Sequence, residues 1–243
     1  MKTVLITGAS SGIGKACTEK FAEKGYSIIG VGNNKKRLEK MKIEAISKGA
    51  KNCTILCCDF SNQKNIKKLF KEIKSLKKID AVVNSAGVSY KNKIENLTIE
   101  EWEKVIQVNL TANFLIIKNS IPFLLKSKNP SIVNISSIAG RNKSLSLGCH
   151  YTTTKAAIIG MTRHLAAELG PKGIRVNCCA PSQTHTPMLD SALSIKNQKI
   201  LARTVPLRRL GTAKEQAEVV YFLCSSKSSY INGAIIDVNG GLL

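Results

Sequence analysis

Short apolar runs rich in β-branched residues alternate along this chain with longer stretches whose apolar positions recur at three- and four-residue spacing. A run of about five such residues bounded by turns suits a strand buried on both faces of a parallel sheet, and the periodic stretches are then the helices that cover it. Strands are expected near 3–7, 27–31, 53–58, 81–84, 131–136, 175–179 and 234–238, and helices over 12–24, 35–48, 63–76, 100–126, 151–170 and 213–225. Nothing in the composition divides the series, since no repeat, low-complexity tract or Pro/Gly-rich linker interrupts it. The expected fold class is α/β, as one domain over residues 1–243. One piece departs from the rhythm: residues 182–209 carry Pro187 and Pro206, mix Met188, Leu189, Leu193 and Ile200 with polar groups, and are expected to form a mobile substrate flap.

The 243 residues suffice for a full core. Lys2, the apolar run 4–6 and Cys17 imitate a lipoprotein leader, but the run is too short and residues 8–11 break it, so a strand entering a glycine turn is the expectation. No apolar run approaches membrane-spanning length, and a soluble cytoplasmic protein without a membrane partner is expected. The 8 cysteines include two adjacent pairs, Cys57–Cys58 and Cys178–Cys179, and lack the spacing of a zinc site; they are read as reduced core thiols, with no metal expected. The net charge of +21 is concentrated in Lys-rich helical faces without interleaved aromatics. That pattern suits a solvated surface or an acidic partner better than nucleic acid, which is not expected as a partner.

The first strand runs into Gly8, Ser10, Ser11, Gly12, Ile13 and Gly14 and then directly into a helix. Such a turn lets backbone amides and a helix N-terminus approach a pyrophosphate, and glycines keep side chains out of the way. Asp59, with Phe60 after it, follows the third strand and is expected to hydrogen-bond an adenine amino group; Asn84, Ala86 and Gly87 end the fourth, beside the adenine ribose. After the second strand an acid would favour NAD, yet the chain reads Gly32, Asn33, Asn34, followed by Lys35, Lys36 and Arg37. NADP, used as NADPH, is therefore the favoured cofactor, with NAD the alternative.

Tyr151 and Lys155 stand four apart at the start of a helical run, so both project from one face. A phenol with an ordinary pKa of about 10 needs a neighbouring cation to exchange protons near neutrality, and Lys155, aided by a bound oxidised nicotinamide, is expected to supply it. Ser137, ending the fifth strand, is placed to donate to a substrate oxygen. Asn109, between Val108 and Leu110, is expected to break local helix pairing and to hold a water that connects Lys155 to solvent.

The motifs TGASSGIG at 7–14, NSAG at 84–87, VNL around Asn109, the serine pair at 136–137 and YTTTK at 151–155 occur in the order found in short-chain dehydrogenase/reductases. The chain resembles that family over essentially its whole length. The resemblance implies a Rossmann-like doubly wound domain with a seven-stranded parallel sheet, a nicotinamide cofactor, and a catalytic tetrad of Asn109, Ser137, Tyr151 and Lys155. It further implies that Tyr151 and Lys155 also touch the cofactor, that Pro181, Thr184 and Thr186 border the nicotinamide, with Thr186 binding its carboxamide, and that the protein is a homotetramer assembled through 100–126 and 151–170. In feel the chain is similar to the bacterial 3-oxoacyl-carrier-protein reductases, with Lys128 and Lys172 at positions that dock an acidic carrier protein. It departs from them where Pro-Gly becomes Pro181-Ser182 and Thr-Arg-Asp becomes part of the run Val88-Ser89-Tyr90-Lys91.

The expected activity is hydride transfer between a nicotinamide cofactor and a ketone or secondary alcohol, on a small-molecule or carrier-bound carbonyl substrate. Sugar or other alcohol dehydrogenation within the family is the alternative. A non-catalytic nucleotide-sensing or nucleic-acid-binding protein on the same fold would be favoured by a damaged tetrad, and the tetrad is intact.

Overall fold

Each expected strand joins one parallel sheet, in the order β3-β2-β1-β4-β5-β6-β9. The computed structural model describes residues 1–144 and 146–242. In chain order its elements are β1 (Thr3–Thr7), α1 (Gly12–Glu23), β2 (Ser27–Gly32), α2 (Lys35–Ser47), β3 (Asn52–Cys57), α3 (Gln63–Glu72), β4 (Ala81–Asn84), α4 (Ile99–Ile106), α5 (Ala112–Leu124), β5 (Ser131–Ile135), α6 (Cys149–Leu169), β6 (Arg175–Pro181), β7 (Thr184–His185), α7 (Pro187–Ala192), α8 (Ile195–Thr204), β8 (Gly211–Thr212), α9 (Ala213–Cys224) and β9 (Ile235–Val238). The strands run outward from β1 in two directions, so the order reverses between β1 and β4. A crevice opens there beyond the carboxyl ends of the strands, the place where open α/β sheets bind ligands.

Alternation along each strand builds two cores. Val4 and Ile6 of β1 point into a layer shared with Phe21 of α1, Leu38 of α2 and Val220 of α9. Leu5, between them, points the other way, toward Ile66 of α3, Ile116 of α5 and Leu169 of α6. All three β1 side chains are fully buried, each contributing about 1.5–3 kcal/mol relative to exposure. This two-sided burial is why the strands read as unbroken apolar runs.

Two expectations change. The single helix expected over 100–126 is α4 and α5 joined by a π-helical turn at Gln107–Thr111, because the Asn109 side chain is engaged by backbone from another segment, as described below. The piece 182–209 contains β7, which pairs with β8 just beyond it, and the helices α7 and α8. Thr186 caps α7 by accepting from Leu189 N–H and Ser194 caps α8 by accepting from Asn197 N–H, signals that Pro187 and the mixed composition concealed. Among the described residues no helix is long and apolar enough to cross a membrane.

Candidate active site

The glycine turn is built around close backbone approaches. Gly8 and Gly12 have φ of +68° and +50°, a region that favours glycine. A Cβ on Gly14 would stand 2.2 Å from the Gly8 carbonyl oxygen, so α1 can start against the turn only with glycine there. Ser11 precedes α1 without a side-chain cap, which leaves the first amides of the helix to an anion. Thr7 fastens the neighbouring loop: its hydroxyl accepts from the N–H groups of Ser85 and Ala86, each at 3.1 Å.

On the other side of the crevice, β5 and the start of α6 bring Ser137, Tyr151 and Lys155 into the same cleft, which has a volume of about 480 Å³. Ser136 is committed elsewhere, donating to the Lys155 carbonyl at 2.7 Å from a buried position. Ser137 accepts from the Ala139 N–H at 3.1 Å and stands within hydrogen-bonding reach of Tyr151. Lys155 Nζ donates to the Ile135 carbonyl at 2.8 Å and lies 5.5 Å from the Tyr151 ring centroid. Asn109 presents both ends of its amide to one residue: Oδ1 accepts from Val88 N–H at 2.8 Å while Nδ2 donates to Val88 C=O at 2.9 Å. Nδ2 also reaches Thr154 Oγ1 at 3.2 Å. A Cβ on Gly87 would fall 3.3 Å from Asn109 Oδ1 and 3.9 Å from Lys155 Nζ, so these groups converge on one backbone segment.

Burial dominates the electrostatics. It pushes the Tyr151 phenol up to about 12, opposed by a hydrogen bond with Ser137, and pulls the Lys155 ammonium down to about 8. Lys155 is expected to favour the phenolate with the aid of an oxidised nicotinamide; in the protein by itself, the same desolvation that raises the phenol weakens the cation.

Residues 8–243 match the protein family described as enoyl-(acyl carrier protein) reductase. A relative from Aquifex aeolicus, a 3-oxoacyl-[acyl-carrier-protein] reductase, is 37% identical over 99% of this chain and 97% of its own length. Two solved 3-oxoacyl-[acyl-carrier protein] reductases from Brucella melitensis, one with bound NAD, are each 37% identical, with TM-scores of 0.92 and 0.88, and cover 99% of this chain and 91% and 90% of theirs. The chain belongs to the short-chain dehydrogenase/reductase family. It is an NAD(P)-dependent oxidoreductase.

In this short-chain dehydrogenase/reductase most of the expected cofactor residues line the cleft: Gly8, Ser10, Ser11, Gly12, Ile13, Asn33, Phe60, Ala86, Gly87, Pro181, Thr184 and Thr186. Thr186 also lies against the glycine turn, its Cγ2 3.4 Å from where a Cβ on Gly12 would be. Three expected residues act from outside the lining. Gly14 serves by making room. Asn84 is buried and turned to Asn134, donating to its Oδ1 at 3.0 Å, while Asn134 in turn donates to Thr162. Asp59 is exposed, accepts from the Ser61 N–H at 2.9 Å and borders a separate polar hollow with Gln107; only its neighbour Phe60 reaches the cleft. Of the three cations after Asn34, Arg37 alone lines it, because the Asn34 side chain caps α2 on the Arg37 N–H and sets the helix phase. Leu147, Met188, Leu189 and Ala192 form an apolar wall whose role no motif announced; apolar residues at a loop and at the Pro187 helix start were its only sequence signal.

Proposed function

We propose that this enzyme reduces the 3-oxo group of acyl thioesters presented by an acidic carrier protein, using NADPH, with Asn109, Ser137, Tyr151 and Lys155 as its catalytic machinery. The observation that carries the reading is the placement of Ser137, Tyr151 and Lys155 in one cleft whose far wall is apolar; the names of the relatives support the substrate class. The glycine cradle fits a dinucleotide, since any Cβ at Gly14 would collide with the turn. When bound, the reduced nicotinamide supplies the hydride. Ser137 donates to the substrate carbonyl oxygen and holds it against the Tyr151 hydroxyl, and Tyr151 delivers the proton as charge develops on that oxygen. Lys155, just over one turn along α6 on the same face, steadies the phenolate that remains, while Asn109 fixes Val88 and, through Thr154, the first turns of α6. A scan of carbonyl substrates, following absorbance of NADPH and NADH separately, tests the reading: a chain that reduces sugars or simple ketones and no 3-oxoacyl thioester refutes it.

Arg37 on the cleft wall and the absence of an acid at Gly32 or Asn33 support the choice of NADPH. Asn33→Asp is expected to lower the ratio of kcat/KM with NADPH to that with NADH by about tenfold or more, through repulsion of the 2′-phosphate. An unchanged ratio would show that another group sets the preference.

For the carrier, Lys128 and Lys172 are exposed and precede β5 and β6, at the amino ends of the strands and so opposite the cleft at their carboxyl ends. A carrier docked there serves the cleft of a neighbouring copy, which suits a homotetramer assembled through α4, α5 and α6, with the partly exposed Phe114 and Leu125 available for such contacts. Free thiols at all eight cysteines suit a reducing cytoplasm. The double change Lys128→Glu with Lys172→Glu is expected to reduce the second-order rate on the carrier-bound substrate several-fold, about what loss of electrostatic steering costs. A small soluble ketone should be reduced at nearly the original rate. Equal losses on both substrates would count against docking at these residues.

A further inference from the structure

A second cavity, of about 330 Å³, adjoins the catalytic cleft and shares Leu147, Met188 and Ala192 with it. Beyond these three apolar residues its lining turns polar, with Ser89, Tyr90, Lys91, Asn92, Glu101 and Ser191. The chamber lies between α7 and the loop that departs from the carrier-protein reductases in its Tyr90-Lys91 step.

Its inner wall is built rather than loose. Tyr90 stacks on the fully buried His150, with ring centroids 6.0 Å apart and an interplanar angle of 19°. Its carbonyl accepts from the Gly148 N–H at 3.0 Å. A Cβ on Gly148 would stand 2.5 Å from the His150 ring and 2.7 Å from the Asn92 carbonyl oxygen, so loop and helix are in close contact there. Among the described residues neither His150 ring nitrogen has a hydrogen-bond partner, and the ring packs against Tyr90 by its face. Asn92 donates to Glu101 at 2.7 Å and engages that carboxylate. Lys91 forms no ion pair among the described residues.

We propose that this chamber is a subsite for the polar arm by which the substrate is tethered, and that Lys91 pairs with a phosphate on that arm. An apolar throat followed by hydroxyl and amide groups and a cation matches an arm that carries a thioester, then amides, then an anion. The inference rests on the thioester reading above.

The probes are 3-oxobutyryl thioesters of pantetheine and of 4′-phosphopantetheine, which differ by the phosphate alone. The unaltered enzyme is expected to favour the phosphorylated compound by about three- to fivefold in kcat/KM, expressed in KM, as a solvent-accessible ion pair allows. Added salt should erode that preference. Lys91→Ala should abolish it, with the loss confined to the phosphorylated substrate, and Lys91→Arg should restore it. An enzyme that treats both thioesters alike, or a Lys91→Ala variant that loses equally on both, overturns the inference while leaving thioester reduction intact. An enzyme that reduces neither compound overturns the thioester reading and the subsite with it.

Discussion

Tyr151→Phe is expected to lower kcat by about 10²–10⁴-fold, the usual contribution of a positioned acid or base, while the dissociation constant for NADPH stays close to its original value. The phenol hydroxyl lies in the cleft beside Ser137 and its ring is buried, so removing one oxygen leaves the packing of α6 intact. Stopped-flow or steady-state rates paired with cofactor titration by fluorescence would separate the two quantities. Near-normal turnover by the variant would falsify the assignment. The pH dependence follows from the same burial. With the phenol held up to about 12, Tyr151 stays protonated through neutrality, and carbonyl reduction, which consumes that proton, should persist there. Alcohol oxidation needs the phenolate, so its rate should climb as pH rises, and oxidation that instead slowed with rising pH would contradict the role.

Gly14→Ala is expected to disable cofactor binding and cost stability together. Its Cβ would lie 2.2 Å from the Gly8 oxygen and 2.7 Å from the Gly8 carbonyl carbon. Both are backbone atoms, and no rotamer change relieves the contact. Either α1 withdraws from the turn or the turn opens, and each movement displaces the helix N-terminus from the anion it would hold. Overpacking of this kind costs about 1–3 kcal/mol, and NADPH affinity should fall by at least about tenfold as the amides lose their geometry. Thermal unfolding with and without NADPH measures both effects. A variant with an unchanged midpoint and an unchanged shift on adding cofactor would mean that the turn does not hold the pyrophosphate.

What the sequence determined by itself is local and periodic. The unbroken apolar runs around Val4, Ile28 and Val82 are legible as strands because a sheet covered on both faces buries every side chain, and the glycine turn at Gly8 and Gly14 is legible because few residues can make so close a backbone approach. The fold and the approximate location of the cleft follow from those patterns and their order. The tertiary structure alone decided where polar side chains turn. Periodicity runs evenly through Gln107–Thr111, yet the helix widens there, with Asn109 bound to Val88, 21 residues away. Asn84 stands at an expected cofactor position and is drawn instead to Asn134, 50 residues on. Lys155 spends its ammonium on the Ile135 carbonyl, and Arg37 rather than Lys35 or Lys36 reaches the cleft. In each case a buried or half-buried polar group must find a partner or lose its hydration, and the partner is supplied by whichever distant segment packing has brought alongside. Sequence spacing fixes the position of a residue on its own strand or helix; the choice among partners arises only when the layers close.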